Sequence, residues 1–206
     1  MLRIPILASE INNLTDARYF AAREATWLSF PLSQINIQQI AAIQEWVDGV
    51  TIVPAFESES VAEIIEYAQF LHVDTIQLAP FYDESHHTSL SDFNIIQLVL
   101  IGEDSDWSEV DHRLMELSKT TSLIVLDTYK SNISWQKLTV AQRAQLQQWC
   151  ADYPIVLGLP FSQESIADVL ALGAKAINLR GSEEEKVGYK SFEEVDEILD
   201  VLEIED

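Results

Sequence analysis

The feature that most constrains the fold is a strict alternation of short apolar runs with helical patterns along the whole chain. Eight runs of strand length each precede a helix or a helical turn, which predicts repeated βα units and a parallel sheet. Eight units in 206 residues fit a single (βα)8 TIM barrel, and we expect one domain over residues 1–206. An open doubly wound sheet is the rival, but it rarely needs eight units in strict alternation. The predicted strands are 2–8, 26–30, 50–55, 74–79, 95–101, 122–127, 155–159 and 176–179.

Helix signals lie between these runs. Asn13 is the predicted N-cap of a first helix from about Leu14, because a short polar side chain there can accept a backbone N–H. The next helices are predicted after Ser33 and from about Ser58, and later ones over about 107–118, 140–151, 162–173 and 192–204. Residues 80–94 are predicted to be mostly loop, with one helical turn near 89–93.

Composition excludes several classes of function. The formal net charge of −22 repels nucleic acid and anionic membranes, so we expect neither as a partner. No apolar run is long enough to cross a bilayer, and the N-terminal stretch lacks a signal peptide pattern. The single cysteine, Cys150, rules out an internal disulfide and fits a cytoplasmic protein; we expect it to be packed in helix six. The acidic C-terminal tail is typical of a solvated helix face.

Asp127 is the leading candidate for chemistry. It ends the apolar run Ser122 to Asp127, and in a (βα)8 barrel the carboxyl ends of the strands face the active-site mouth. Either it acts as a general acid there, or it caps a helix or braces a loop. The adjacent pair His86-His87 is the one cluster that resembles metal ligands, but we expect solvated side chains and no metal. No motif indicates a nucleotide or another cofactor, so none is predicted.

Several segments resemble the phosphoribosylanthranilate isomerase family of tryptophan biosynthesis. The stretch from Ser9 to Arg18 is similar to the family's Cys-Gly-Ile/Leu-Thr followed by an Asn-Leu-Glu-Asp-Ala-like helix start. Leu126-Asp127-Thr128 matches the Leu-Asp-Thr at the end of the sixth strand. Near the C-terminus, segments 157–159, 178–182 and 187–190 resemble Gly-Gly-Leu, Asp-Val-Ser-Ser-Gly and Pro-Gly-Val-Lys. The resemblance runs in order over nearly the whole chain and implies a (βα)8 barrel.

The resemblance also implies roles for individual residues. In this family a carboxylic acid donates a proton that opens a sugar ring, and a thiolate removes a proton from the adjacent carbon. Asp127 holds the acid position, whereas Ser9 fills the cysteine position and Glu10 the glycine after it. A serine hydroxyl without a partner is too weak an acid to replace a thiolate as base. Glu10 is therefore the candidate for a displaced base, although no motif supports it.

The family's phosphate site is also altered. Family enzymes hold phosphate on backbone N–H groups in glycine-rich turns after strands seven and eight. Here Leu157 replaces one glycine, whereas Gly158 remains. After strand eight the chain keeps Gly181 and Ser182 and adds Arg180, which either binds an anion or pairs with Glu183 or Glu184. The loops after strands two and six lack the family's Arg-bearing and glycine-rich patterns.

These residues and resemblances leave three functions open. The chain is an impaired isomerase of a phosphorylated sugar-like substrate, a related barrel enzyme with another substrate, or a non-catalytic relative. The relative would bind a small anion or a protein partner. In the enzyme cases the partner is a small phosphorylated or anionic molecule, and the protein is expected to be a monomer or a homodimer.

Overall fold

The computed structural model describes residues 2–180, 184–186, 189–190 and 192–204. Eight parallel strands close into a barrel in sequential order, so that the first strand pairs with both the second and the eighth. This confirms the predicted (βα)8 barrel. The strands are β1 Ile6–Ser9, β2 Trp27–Pro31, β3 Thr51–Phe56, β4 Thr75–Leu78, β5 Asn94–Leu100, β6 Leu123–Asp127, β7 Ile155–Gly158 and β8 Ala176–Arg180.

A helix follows each of these strands. The helices are α1 Leu14–Ala22, α2 Ile37–Gln44, α3 Val61–Leu71, α4 Glu84–Ser89, α5 Trp107–Leu117, α6 Val140–Asp152, α7 Ile166–Leu170 and α8 Glu193–Leu202. The predicted cap of α1 is confirmed, because the Asn13 side chain accepts a hydrogen bond from the Asp16 backbone N–H at 2.9 Å. Reciprocal capping boxes, in which the third helical residue also bonds back, start α2, α3, α4 and α6.

The structure corrects the sequence prediction in three segments: before β5, after β7 and between β8 and α8. The helical turn expected near 89–93 lies earlier, in α4, because Asp83 accepts hydrogen bonds from the Ser85 and His86 backbone N–H groups and starts the helix there. Helix α7 is shorter than predicted, with an irregular segment after β7. An antiparallel hairpin, β9 Glu184–Lys186 with β10 Tyr189–Lys190, lies between β8 and α8 and has no counterpart in the prediction.

Two apolar layers hold the barrel together. Its interior contains small and branched side chains from the strands, and larger side chains fill the space between strands and helices. Trp149 of α6 is fully buried in the outer layer, where it stacks on Trp107 and donates a hydrogen bond to Asp111 at 2.7 Å. Cys150 is buried beside it, as predicted. Within the described residues, no helix is long and apolar enough to cross a membrane.

The two adjacent histidines differ from the prediction. Both lie in α4 rather than in a solvated loop. The His86 ring bonds to Asp83, whereas His87 is buried, with Nδ1 2.8 Å from Thr120 Oγ1 and Nε2 2.8 Å from Gln97 Oε1. Because Gln97 Nε2 donates to backbone carbonyls, its Oε1 accepts from His87, and His87 Nδ1 then accepts from Thr120. Burial lowers the pKa of His87, so the ring is neutral.

We expect this neutral histidine to make the protein less stable in mild acid. A histidine whose pKa is lowered by folding contributes its full stability above its unfolded pKa of about 6.5, and that contribution is lost as the pH falls towards its folded pKa. For one proton, the free energy of unfolding then falls by up to about 1.4 kcal/mol for each pH unit. Urea unfolding between about pH 7.5 and pH 5 measures it.

Two variants test whether His87 is responsible. His87→Gln should flatten the slope. His72→Asn should leave it unchanged, because His72 is an exposed C-cap in the left-handed conformation, which asparagine tolerates. An unchanged slope in His87→Gln would contradict the assignment.

Candidate active site

The candidate residues converge because the strands are parallel. Ser9 ends β1, Asp127 ends β6 and Arg180 ends β8, so all three lie at the carboxyl end of the barrel. Barrel closure brings the first and last strands together and places Ser9 opposite Arg180 in the ladder. In the same way Asp127 lies opposite Gly158 of β7. This end of the barrel, the mouth, is where enzymes of this architecture place their chemistry.

Asp127 is a buried carboxylate, with 2% of its surface exposed. One oxygen, Oδ1, accepts a hydrogen bond from the Tyr129 backbone N–H at 2.8 Å, so the side chain does brace the following loop. The other oxygen, Oδ2, pairs with the Arg180 guanidinium. Burial raises the pKa of Asp127, and the positive charges of Arg180 and Lys130 oppose that rise without cancelling it.

Arg180 has a partner that the sequence did not suggest. The sequence pattern indicated a bound anion, Glu183 or Glu184, whereas the guanidinium pairs with Asp127. Its central carbon also lies 4.6 Å from the centroid of the Tyr129 ring, in a cation–π contact. Its Nε–H is buried and has no hydrogen-bond partner among the described residues. One edge of the guanidinium therefore bonds to the carboxylate, whereas its Nε–H edge has no partner among the described residues.

Ser9 is buried, with 6% of its surface exposed, and its Oγ has no hydrogen-bond partner within the described part of the chain. This hydroxyl therefore makes no loop-capping hydrogen bond there. Glu10 takes a positive φ of 60°, and its carboxylate accepts a hydrogen bond from Gln34 Nε2 at 2.6 Å. Both residues line the mouth cavity with Asp127.

The glycine at position 158 has a packing reason. A Cβ added there would lie 3.0 Å from Asn178 Nδ2 and 3.1 Å from the Leu126 carbonyl oxygen, closer than side chains normally approach. Glycine thus lets β7 pass close to its neighbours. A phosphate-binding role for Gly158 stays a prediction. Gly181 and Ser182, the other two predicted phosphate ligands, lie outside the described residues.

The mouth encloses a small polar cavity of about 50 Å³. That volume holds a few water molecules and is well below the roughly 300 Å³ of ordinary small-molecule sites. Polar groups that the sequence did not single out line it together with Arg180: Ser29, Gln77, Asn178 and Lys130. Polar residues inside otherwise apolar strands, such as Ser29 and Gln77, were the available signal. These two bond to each other at 2.7 Å, whereas Asn178 Oδ1 is buried without a partner among the described residues.

The fold has close matches among solved structures. Phosphoribosylanthranilate isomerase from Thermus thermophilus is 19% identical, with a TM-score of 0.74 over 96% of this chain and 97% of that one. A phosphoribosylanthranilate isomerase in complex with reduced 1-(o-carboxyphenylamino)-1-deoxyribulose 5-phosphate is 17% identical, with a TM-score of 0.72 over 95% and 96%. A 3-hexulose-6-phosphate synthase matches at 9% identity and a TM-score of 0.71, over 97% and 100%.

At such identities these likenesses establish the fold. No protein-family model matches the chain, and no curated protein matches it by sequence.

Proposed function

We propose that the chain is a divergent member of the phosphoribosylanthranilate isomerase family and acts on a small phosphorylated sugar-like substrate. The observation that carries the proposal is Asp127, a buried carboxylate at the mouth of the barrel within a Leu-Asp-Thr segment that resembles the family's. The collinear resemblance and the isomerase structures with the same fold support the family.

The reaction is an aldose–ketose rearrangement of an aminosugar. Asp127, when protonated, gives its proton to the ring oxygen as the bond from that oxygen to carbon 1 breaks, and the nitrogen lone pair forms a C=N bond. A base then takes the proton from carbon 2, and the electron pair of that C–H bond forms a C=C bond while the C=N electrons return to nitrogen. A proton added to carbon 1 and loss of the hydroxyl proton at carbon 2 give the ketone.

This chain lacks the general base of the family. Ser9 stands where the family has its cysteine, and its hydroxyl has no described partner that could take its proton. Glu10, the alternative, is held by Gln34 at the edge of the cavity. We therefore propose activity reduced by about 10²–10⁴-fold, the usual contribution of a general base.

The anionic end of the substrate would bind at the β7–β8 side of the mouth. Arg180 supplies a guanidinium there, and Gly158, Gly181 and Ser182 are the proposed phosphate-binding positions. Because the chain carries a net charge of −22, local donors of this kind are needed to attract an anion.

A second candidate is a non-catalytic protein that binds a small anion. The narrow cavity of about 50 Å³ favours it, because a sugar phosphate with an aromatic ring does not fit unless the mouth opens. The pairing of Arg180 with Asp127 also fills the space where a substrate would react.

The test is isomerase turnover on freshly generated phosphoribosylanthranilate, followed by the loss of its fluorescence. Asp127→Asn, prepared in parallel, excludes a contaminating enzyme. Slow activity that disappears in Asp127→Asn would support the proposal. A rate equal to that of ordinary isomerases would contradict the impairment, and no activity in either folded protein would favour the binding function.

A further inference from the structure

We propose that Arg180 exchanges partners: a phosphate-like dianion that enters the mouth takes Arg180 from Asp127, and Asp127 then takes up a proton. The proposal rests on the proposed function only in treating the mouth as the ligand site. In this proposal, the binding of one anionic ligand also causes the protonation of the acid.

The charges at the mouth require such an exchange. A carboxylate paired with a guanidinium is held in its ionised form and cannot donate a proton. Arg180 makes such a pair with Asp127 Oδ2. If Arg180 turns to another anion, Asp127 stays buried but loses its strongest opposing charge. Burial then favours the protonated acid, which is the form that ring opening needs.

Unsatisfied polar atoms indicate that the cavity is built for a polar ligand. Ser9 Oγ and Asn178 Oδ1 are buried, belong to residues that line the cavity, and have no hydrogen-bond partner within the described part of the chain. Arg180 Nε–H is unsatisfied in the same way. Buried polar atoms without partners cost free energy, so a ligand that satisfies them gains correspondingly.

The cavity wall also carries charged groups other than Asp127 and Arg180. Lys130, exposed in the loop after β6, adds a second cation, and its charge also acts on Asp127. Glu10 after β1 and Glu57 after β3 line the cavity with negative charge, and Tyr129 packs against the guanidinium. Glu10 is held by Gln34, and no described contact joins Glu57 to Arg180. Among the described residues, Asp127 is therefore the acid that competes directly for Arg180.

The experiment measures sulfate binding by calorimetry, between about pH 5 and pH 8, in buffers of different ionisation enthalpy. Sulfate remains a dianion over this range, so any proton taken up belongs to the protein. We expect up to about tenfold tighter binding per unit fall in pH, with uptake approaching one proton. Asp127→Asn should bind sulfate more tightly than the wild type at high pH and without proton uptake. Arg180→Gln should weaken binding at least about tenfold, because it removes a charged partner.

Glu57→Gln is the matched control. It removes an acid from the same cavity that has no described contact with Arg180, so proton uptake should persist. Uptake that disappears in Glu57→Gln, or persists in Asp127→Asn, would overturn the exchange, as would binding that Arg180→Gln leaves unchanged or no binding at all. The isomerase assay is independent of this result. Proton-coupled sulfate binding without turnover would reject the isomerase and retain the exchange, and turnover without coupling would do the reverse.

Discussion

Ser9→Cys is expected to raise isomerase turnover by about 10²–10⁴-fold, the usual contribution of a general base. The hydroxyl lies in the mouth cavity that Asp127 also lines, and a sulfur atom in its place is nearly isosteric. A thiol ionises near pH 8.5, far below a hydroxyl, and a neighbouring cation lowers that pKa further. Arg180, opposite Ser9 in the β-ladder, supplies the cation. The measurement is kcat/KM in the fluorescence assay.

Two controls connect the gain with the new thiolate. Ser9→Ala should not reproduce the gain, because a methyl group cannot ionise. Alkylation of Ser9→Cys with iodoacetamide at neutral pH should remove the gain. Cys150 does not interfere, since it is buried and burial raises the pKa of its thiol to about 12. Equal rates in Ser9→Cys and the wild type would show that the missing thiolate does not limit this chain.

The barrel could be predicted because its signals are local. An apolar strand that ends on a polar residue, as in Ser122 to Asp127, is visible within a few positions, and eight such signals in order leave few alternatives. Helix starts were accurate where a single cap decides them, as at Asn13. The position of α4 was missed: the Asp83 side chain caps its start, and His87 within it bonds to Gln97 of β5, a tertiary contact that the local sequence does not show.

The site could be predicted residue by residue but not as a network. Asp127 and Arg180 are 53 positions apart, and only barrel closure brings β6 and β8 to the same mouth. Along the chain, the acids nearest to Arg180 are Glu183 and Glu184, so the sequence alone points to them and gives no indication of Asp127. Asn178 was missed as a cavity residue for a similar reason, since an isolated polar residue in a strand does not reveal which face it occupies.

Arg180→Met is expected to destabilise the fold by about 3 kcal/mol at pH 7.5, because removing one member of a buried pair costs about 3–5 kcal/mol. Methionine keeps much of the apolar contact with Tyr129 but leaves Asp127 without its partner, so that at pH 7.5 the buried carboxyl group is either an unpaired charge or must take up a proton at a cost in free energy. We expect the lower end of this energy range because 21% of the Arg180 side chain is exposed to solvent, which screens the pair. Urea unfolding at several pH values measures the effect.

The pH dependence distinguishes a charge effect from lost packing. Folding raises the pKa of Asp127, and losing Arg180 removes the main influence that opposes the rise. A carboxyl group with a raised folded pKa is more stable in the folded state below its unfolded pKa, and that advantage is lost as the pH rises through the folded value. The difference from the wild type should therefore shrink in acid.

The double variant Asp127→Asn/Arg180→Met should recover most of the lost stability, because it no longer buries an unpaired charge. A destabilisation that is equal at neutral and acid pH, and that persists in the double variant, would identify lost packing as the cause. In that case Arg180 would support Tyr129 rather than neutralise Asp127. The free protein would then contain no ion pair for an incoming anion to exchange.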